Sequence, residues 1–334
     1  MSEITRSVPQ PAILLTHTPA RRALYYPAAA LTALDALAPV RLHQGPTPLA
    51  GAALVEAAQG IRLIVADSES PAPAPLFAAT PGLVAFLRCA VDIRNIDVAA
   101  ASAAGILVTR ATPGFAAAVA ELVLAAMIDL ARGISHAVGQ YRAGLAPTVA
   151  MGRQLAGSTV GIIGYGAIGR RLAANLLALD ARILVHDPHT HPAQGEPTDF
   201  PTLLAQADFV VLLAPALPET AHLMNAAAFA RMKPGAYFIN ASRSPLVDEP
   251  ALEAALDSRH LAGAALDVGS QPGEMPSLNL AARPDVIATP HIGGLTPEAT
   301  AHQAHDTVRQ AAAILAGRIP DGAVNAPSAH RLKP

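Results

Sequence analysis

Thr159-Val160-Gly161-Ile162-Ile163-Gly164-Tyr165-Gly166-Ala167-Ile168-Gly169 is the stretch on which the reading of this chain turns. Thr159 to Ile163 is a short apolar, β-branched run, the pattern of a strand buried in a parallel sheet. Gly164-x-Gly166-x-x-Gly169 then leads into a helix expected over Arg170 to Leu179. A second apolar run, Arg182-Ile183-Leu184-Val185-His186, ends at Asp187, 23 residues after Gly164. Each part suits the holding of a dinucleotide. The first glycine makes the tight turn, the second lets backbone approach a pyrophosphate, and the third lets helix pack on strand. The helix N-terminus offers N–H groups and a partial positive charge to phosphates. An acid at position 187 is placed to accept from the adenosine ribose hydroxyls and would repel a 2′-phosphate, so NAD is favoured over NADP. Arg182 and His189 are nearby cations that soften this preference. A glycine-rich turn alone is also compatible with a purely structural role; strand, helix, second strand and terminal acid in order make dinucleotide binding the stronger reading.

Outward from this unit, 334 residues suggest two domains of ordinary size. A composition 52% hydrophobic and 14% charged is ample for large cores, built mainly from Ala, Leu and Val. A net charge of −2 argues for neither nucleic acid nor an anionic membrane surface as partner. The single cysteine, Cys89, excludes an internal disulfide framework and suits a reducing compartment, which points to the cytoplasm; Cys89 itself reads as a small buried hydrophobe. Met1 to Gln10 has no apolar core of the signal-peptide kind. Pro, Gly or charge breaks every long apolar stretch well short of a membrane span, and no Cys/His cluster suggests a metal.

Upstream, strand and helix signals alternate. Strands are expected at Ile13 to Thr16, Val40 to Leu42, Leu63 to Ala66, Leu83 to Arg88 and Ile106 to Thr109. Helices are expected at Arg22 to Ala38 (interrupted near Pro27), Leu49 to Ala58 and Val98 to Ala104, with Pro71 to Pro75 as a loop. This is a doubly wound α/β pattern of its own. Past Pro113-Gly114, Phe115 to Arg142 contains no Pro and reads as one long helix. It is so apolar that it must be buried, against a partner subunit as well as a sheet, which makes a homodimer the expected assembly. Downstream of the glycine turn, strands are expected at Phe209 to Leu213, Tyr237 to Asn240, Ala264 to Asp267 and Val286 to Thr289. Helices include Ala226 to Met232 and Pro250 to Asp257, and a last one, Pro297 to Ala316, crosses back to the first domain. Ligands in such sheets bind at the carboxyl ends of the strands.

Three segments there carry chemistry: Asn240-Ala241-Ser242-Arg243-Ser244-Pro245-Leu246-Val247-Asp248, Gly263-Ala264-Ala265-Leu266-Asp267-Val268, and Thr289-Pro290-His291-Ile292-Gly293-Gly294. An Arg, an acid and a His beside a nicotinamide suit hydride transfer at a 2-oxo/2-hydroxy acid. The Arg pairs with a planar carboxylate in a fork that Lys cannot match, and the His gives or takes the hydroxyl proton near neutral pH.

On these residues, with Met232-Lys233-Pro234-Gly235-Ala236 in family order and spacing, the chain resembles the D-isomer-specific 2-hydroxyacid dehydrogenases, the family of D-3-phosphoglycerate dehydrogenase and glyoxylate/hydroxypyruvate reductase. The resemblance runs from Leu83 to Asn325. It implies two doubly wound parallel-sheet domains, a Rossmann NAD-binding domain (113–294) inserted into a flavodoxin-like substrate domain (1–112 and 295–334). It implies an NAD-dependent oxidoreductase in which Arg243 binds substrate carboxylate and His291 is the acid/base. Ala167 and Ile168, with Gly164, Gly166 and Gly169, would lie along the pyrophosphate. Ala241, Ser242, Arg243, Asp267, His291, Gly293 and Gly294 would lie along the rest of the cofactor, Asp267 near the nicotinamide.

Two departures from the family stand out. Relatives place a third catalytic residue, a Glu, five positions after the aspartate that matches Asp267; here that slot is Pro272. Glu274 follows two residues late and either reaches His291 through a rearranged loop or is solvated, leaving His291 without an acidic partner. Relatives also bind the substrate carboxylate on a Gly-x-Gly, where this chain has Ala90-Val91-Asp92. Asp92 would repel a carboxylate unless Arg94 or Arg88 offsets its charge. A smaller difference is Leu213, where many relatives carry His. The leading reading is therefore a reductase of a small 2-oxo acid. The alternatives are an NAD(H)-sensing regulatory or corepressor-like protein, and a dehydrogenase for a substrate lacking a simple carboxylate, such as a phosphonate.

Overall fold

The computed structural model describes residues 12–332, so the Met1 to Gln10 segment read above lies outside the described residues. Contacts gather into two units: one runs to Gly114 and resumes at Pro297, the other is Phe115–Thr296.

In the first unit, β1 (Ile13–Leu15), β2 (Val40–Leu42), β3 (Leu63–Ala66), β4 (Ala85–Arg88) and β5 (Leu107–Arg110) form one parallel sheet in the order β2-β1-β3-β4-β5. That is the flavodoxin-like order, with its switch point between β1 and β3. The strands are apolar at consecutive positions because both faces are covered. Ile13 and Leu15 join a core with Tyr26, Leu34 and, from the last helix (Pro297–Leu315), Ala304 and Ile314. Leu14 points the other way, to Leu54, Leu76, Phe77 and Ala101. Each such side chain contributes about 1.5–3 kcal/mol when fully buried. The expected Pro71 to Pro75 loop is shorter than read. A helix starts at Ala74 and runs to Ala79, with Pro75 in its first turn, where the missing N–H has no intrahelical partner to lose.

The second unit holds seven parallel strands: β6 (Thr159–Ile163), β7 (Arg182–His186), β8 (Glu196–Pro197), β9 (Phe209–Leu212), β10 (Ala236–Asn240), β11 (Leu261–Leu266) and β12 (Val286–Ala288). Their order, β12-β11-β10-β9-β6-β7-β8, is of the Rossmann type and reverses direction between β6 and β9. Val210, Leu212 and Phe238 fill one face. Val160, Ile162, Val211 and Ile239 fill the other, under Val119, Val123 and Met127. The predicted single helix over Phe115 to Arg142 is two: Ala116–Arg132 and Ile134–Arg142. Gly133, at φ 64°, breaks it in the left-handed conformation that ends many helices, with its N–H on Asp129 O at 2.6 Å. Only the first piece is buried, through Val119, Ala120, Val123, Met127 and Ala131; the second buries no side chain. No described helix is long and apolar enough to cross a membrane.

One buried titratable group makes the first unit sensitive to acid. His17, just past β1, is 1% exposed, with its ring 5.3 Å from that of Tyr26. Its Nε2 lies 3.9 Å from Asp67 Oδ2, which also takes Arg21 Nε at 2.5 Å. Burial, against the opposing pull of Asp67, pushes His17 down to about 4 from an ordinary 6.5. The folded ring is therefore neutral where the unfolded one takes a proton. The resulting stabilisation is complete above about pH 6.5 and is lost as pH falls toward 4, roughly 3 kcal/mol in all. Urea unfolding should show this loss between pH 6.5 and 4 for the wild type and a correspondingly flatter profile for His17→Leu. Parallel profiles would contradict the assignment.

Candidate active site

The cofactor cradle grows from the end of β6. Gly164 sits at φ 96°, and a Cβ there would lie 2.6 Å from Ala214 N and 2.7 Å from Leu213 C. This position requires glycine on both counts. The helix Ala167–Leu177 begins immediately, its N-terminus uncapped by any side chain. A Cβ on Gly169 would run into Gly164 O, so helix and strand touch backbone to backbone. Gly166 differs: a Cβ there would meet nothing within 4 Å, and the residue is exposed, with half-buried Ala167 and Ile168 beside it. The protein's own packing does not require glycine here, and the position is open enough for a phosphate to lie against the uncapped N–H groups. Asp187, after β7, accepts Tyr165 N at 2.7 Å on Oδ2, and His189 N and Thr190 N at 2.8 and 2.9 Å on Oδ1. Burial raises its pKa, but these backbone N–H groups outweigh burial and hold it below the ordinary carboxylate range. The acid is thus ionised and tied to the glycine turn.

Past β10, β11 and β12 the same unit brings three predicted residues together. Asn240 takes Ser242 N at 3.0 Å and gives Nδ2 to Arg243 O at 3.3 Å, and Ser242 Oγ donates to Ala214 O, so the turn carrying Ala241, Ser242 and Arg243 is fixed from below. Arg243 Nη1 donates to Ser242 O at 2.7 Å, and its Nε stands 3.3 Å from Glu274 Oε2. The same Glu274 oxygen is 4.0 Å from His291 Nδ1. Glu274 therefore stands between the Arg and the His, within ion-pair range of both. It gets there by a tight loop in which Gly269 N donates to Glu274 O (2.8 Å) and Gln271 N to Met275 O (3.0 Å), with Pro272 opening a short 3-10 turn.

His291 Nδ1 has a closer partner, Gly273 O at 3.0 Å. A carbonyl only accepts, so Nδ1 carries a proton and Nε2 is the nitrogen whose protonation can change. Both His291 (φ 54°) and Glu274 (φ 56°) adopt left-handed backbone conformations that cost a non-glycine residue about 1–2 kcal/mol. Such strain persists where surrounding structure imposes it and clusters at functional sites.

In the other unit, Ala90, Val91 and Asp92 follow β4. The Asp92 carboxylate accepts Arg94 N at 2.9 Å, and Arg94 Nε and Nη2 at 2.9 and 2.6 Å, so its charge is matched two residues along the chain. Arg88 is turned inward instead. Wholly buried, it donates to Asp67 O, to Ser70 O at 3.0 Å and to Asn95 Oδ1 at 2.5 Å, stapling the loop after β3 to the loop after β4. Sequence reasoning had no means to find two of the groups around His291. The Gly273 carbonyl is a backbone atom, and Thr289 Oγ1, which donates to Asp267 Oδ1 at 2.6 Å, heads the His291 segment but carries no role that its residue type announces. Gly166→Ala should fold and melt as the wild type does, since its methyl meets no protein atom, yet weaken NADH binding by about tenfold or more, 1.4 kcal/mol. Fluorescence titration checks this, and wild-type affinity in the variant would remove Gly166 from the cradle.

Comparison with known proteins identifies the fold and the family. Residues 124–293 match the model described as "D-isomer specific 2-hydroxyacid dehydrogenase, NAD binding domain". D-3-phosphoglycerate dehydrogenase of Mycobacterium leprae is 36% identical over 270 residues, which are 78% of this chain; the chain spans about half, 51%, of that relative's length. (S)-Sulfolactate dehydrogenase of Chromohalobacter salexigens is 37% identical over 255 residues, 74% of this chain and 82% of that protein. The crystal structure of the TT0316 protein from Thermus thermophilus shares 32% identity and superposes with a TM-score of 0.85 over 93% of this chain and 99% of that one. The chain belongs to the D-isomer specific 2-hydroxyacid dehydrogenase family and carries its NAD binding domain, with NAD as the cofactor.

Proposed function

We propose that this chain is an NAD-dependent D-2-hydroxyacid dehydrogenase that works as a reductase of a small 2-oxo acid. The observation that carries the reading is the grouping of Arg243, Glu274 and His291 around one carboxylate oxygen, in the unit that also bears the glycine turn. Gly164, Gly166, Ala167, Ile168 and Gly169 would hold the pyrophosphate, and ionised Asp187 the adenosine ribose, where it disfavours a 2′-phosphate. NADH, when bound, supplies the hydride. Arg243 binds the carboxylate in a fork and draws charge from the adjacent carbonyl. His291 Nε2 delivers the proton to the carbonyl oxygen, while Nδ1–H on Gly273 O keeps the ring from turning. Glu274 supplies a negative charge beside a ring that must carry two protons before it gives one up. In the first unit, Ala90-Val91-Asp92 is the candidate substrate-binding loop by resemblance to the family, and Arg94 offsets the charge on Asp92. Relatives named for phosphoglycerate and sulfolactate act on acids with an oxidisable 2-hydroxyl, which supports this headgroup as the shared one. Retention of Arg243 and His291, with Glu274 beside both, favours catalysis over a purely NAD(H)-sensing role.

Assembly follows from what the second unit leaves uncovered. Val149 and Met151 are 98% and 100% exposed, and Ile134, Tyr141 and Leu145 on the same segment are exposed too. Apolar surface of this kind marks an interaction face, and we infer a second copy of the chain as its partner. A single buried cysteine, Cys89, favours the cytoplasm as its compartment.

A screen of 2-oxo acids, including glyoxylate and hydroxypyruvate, should reveal NADH oxidation; no turnover by protein that demonstrably binds NADH sinks the reading. His291→Ala should keep NADH affinity and lose about 10²–10⁴-fold in turnover, the usual worth of a general acid, whereas a wild-type rate would refute its role. Light scattering should give twice the 34.1 kDa chain mass, reduced to one chain in a Val149→Asp/Met151→Asp double variant; a monomeric wild type would rule out the second copy.

A further inference from the structure

Asp267 does a job near His291 that its place in the motif does not announce. Its side chain is almost wholly buried and follows β11. Oδ1 accepts Thr289 Oγ1 at 2.6 Å and Ile292 N at 2.9 Å, and Oδ2 accepts Gly293 N at 2.8 Å. The three donors flank His291 on both sides along the chain. Between them, His291 N donates to Thr289 O at 2.9 Å, closing a tight turn over Pro290 that ends at His291, held at φ 54°. Thr289 N is in turn anchored on Leu266 O at 3.0 Å, so the bend hangs from the end of β11 by side chain and backbone together. Gly293 is small for the same reason: a Cβ there would lie 2.7 Å from Asp267 Oδ2 and 3.4 Å from Val119 Cγ2. The glycine permits the carboxylate's approach rather than an unusual φ.

We propose that Asp267 is a positioning residue for His291: its carboxylate clamps the 289–293 bend, imposes the left-handed backbone at His291, and so delivers the imidazole to Gly273 O and Glu274. Charged acceptors make the stronger hydrogen bonds, and three of them on one buried group set the backbone more firmly than neutral contacts would. The clamp accounts for a strained His held without a proline or glycine at its own position. It rests on the reading of His291 as the acid/base, but the geometry it asserts can be measured without turnover.

Asp267→Asn keeps the size while turning an amide N–H toward at least one of the backbone donors. The expected result is a fall in kcat of about 100-fold at saturating NADH, as for a misplaced catalytic group. The rate of His291 carbethoxylation by diethyl pyrocarbonate, followed by mass spectrometry of the apoprotein, should rise, while that of exposed His191 stays constant. Thr289→Val removes one donor and should show the same pattern in weaker form, which keeps the test open if Asp267→Asn is insoluble. Two outcomes overturn the proposal. One is weaker NADH binding with unchanged kcat at saturating NADH, which would make Asp267 a cofactor contact. The other is unchanged kcat and carbethoxylation in both variants. A wild type without turnover would instead count against the proposed function, and the carbethoxylation rates would still decide the clamp.

Discussion

The contact on which the nucleotide-binding unit depends is backbone against backbone, where β6 becomes a helix with no Cβ between them. Gly169 abuts Gly164 O, and Gly164 in turn abuts the Leu213–Ala214 peptide at the end of β9. This draws the helix N-terminus into the switch point between β6 and β9, where its N–H groups face outward. Side chains at either glycine would push the helix away from the sheet and move every later element that is registered on β9 and β10. The turn that carries Arg243 is among them, because Ser242 is hooked to Ala214 O.

Acids in this protein are satisfied mostly by N–H groups of nearby backbone. Asp187 collects three, Asp267 two with a hydroxyl, and Asp92 one with its neighbour Arg94. Each uses its charge to shape a loop. Glu274 adds ion-pair contacts to two side chains, Arg243 and His291.

Much of this was legible because it is periodic. Consecutive apolar residues such as Ile13-Leu14-Leu15 read as strands covered on both faces, and they pack into separate cores as that pattern demands. The glycine spacing was legible too, and packing requires the glycine at Gly164 and Gly169. What failed was local punctuation. The missing Pro in 115–142 suggested one helix, but Gly133 breaks it as effectively. Pro75 suggested a loop, yet proline is welcome in a first turn. At the site, the type and order of Arg243, Glu274 and His291 could be read, but their spacing in three dimensions could not. It depends on left-handed backbone at Glu274 and His291 and on the Gly273 carbonyl, and no residue identity encodes these. The charge on Asp92 was an open question until Arg94 was seen to fold back onto it.

On the proposed function, one unit holds NAD on the glycine turn and presents His291 Nε2 as the proton donor. A crystal structure with NADH and a 2-oxo acid tests it most directly. The expected result is the pyrophosphate against Gly166, the adenosine ribose on Asp187, and the keto oxygen within hydrogen-bond reach of His291 Nε2 while Nδ1 remains on Gly273 O. A keto oxygen bound elsewhere, or an imidazole turned to offer Nδ1, would contradict it.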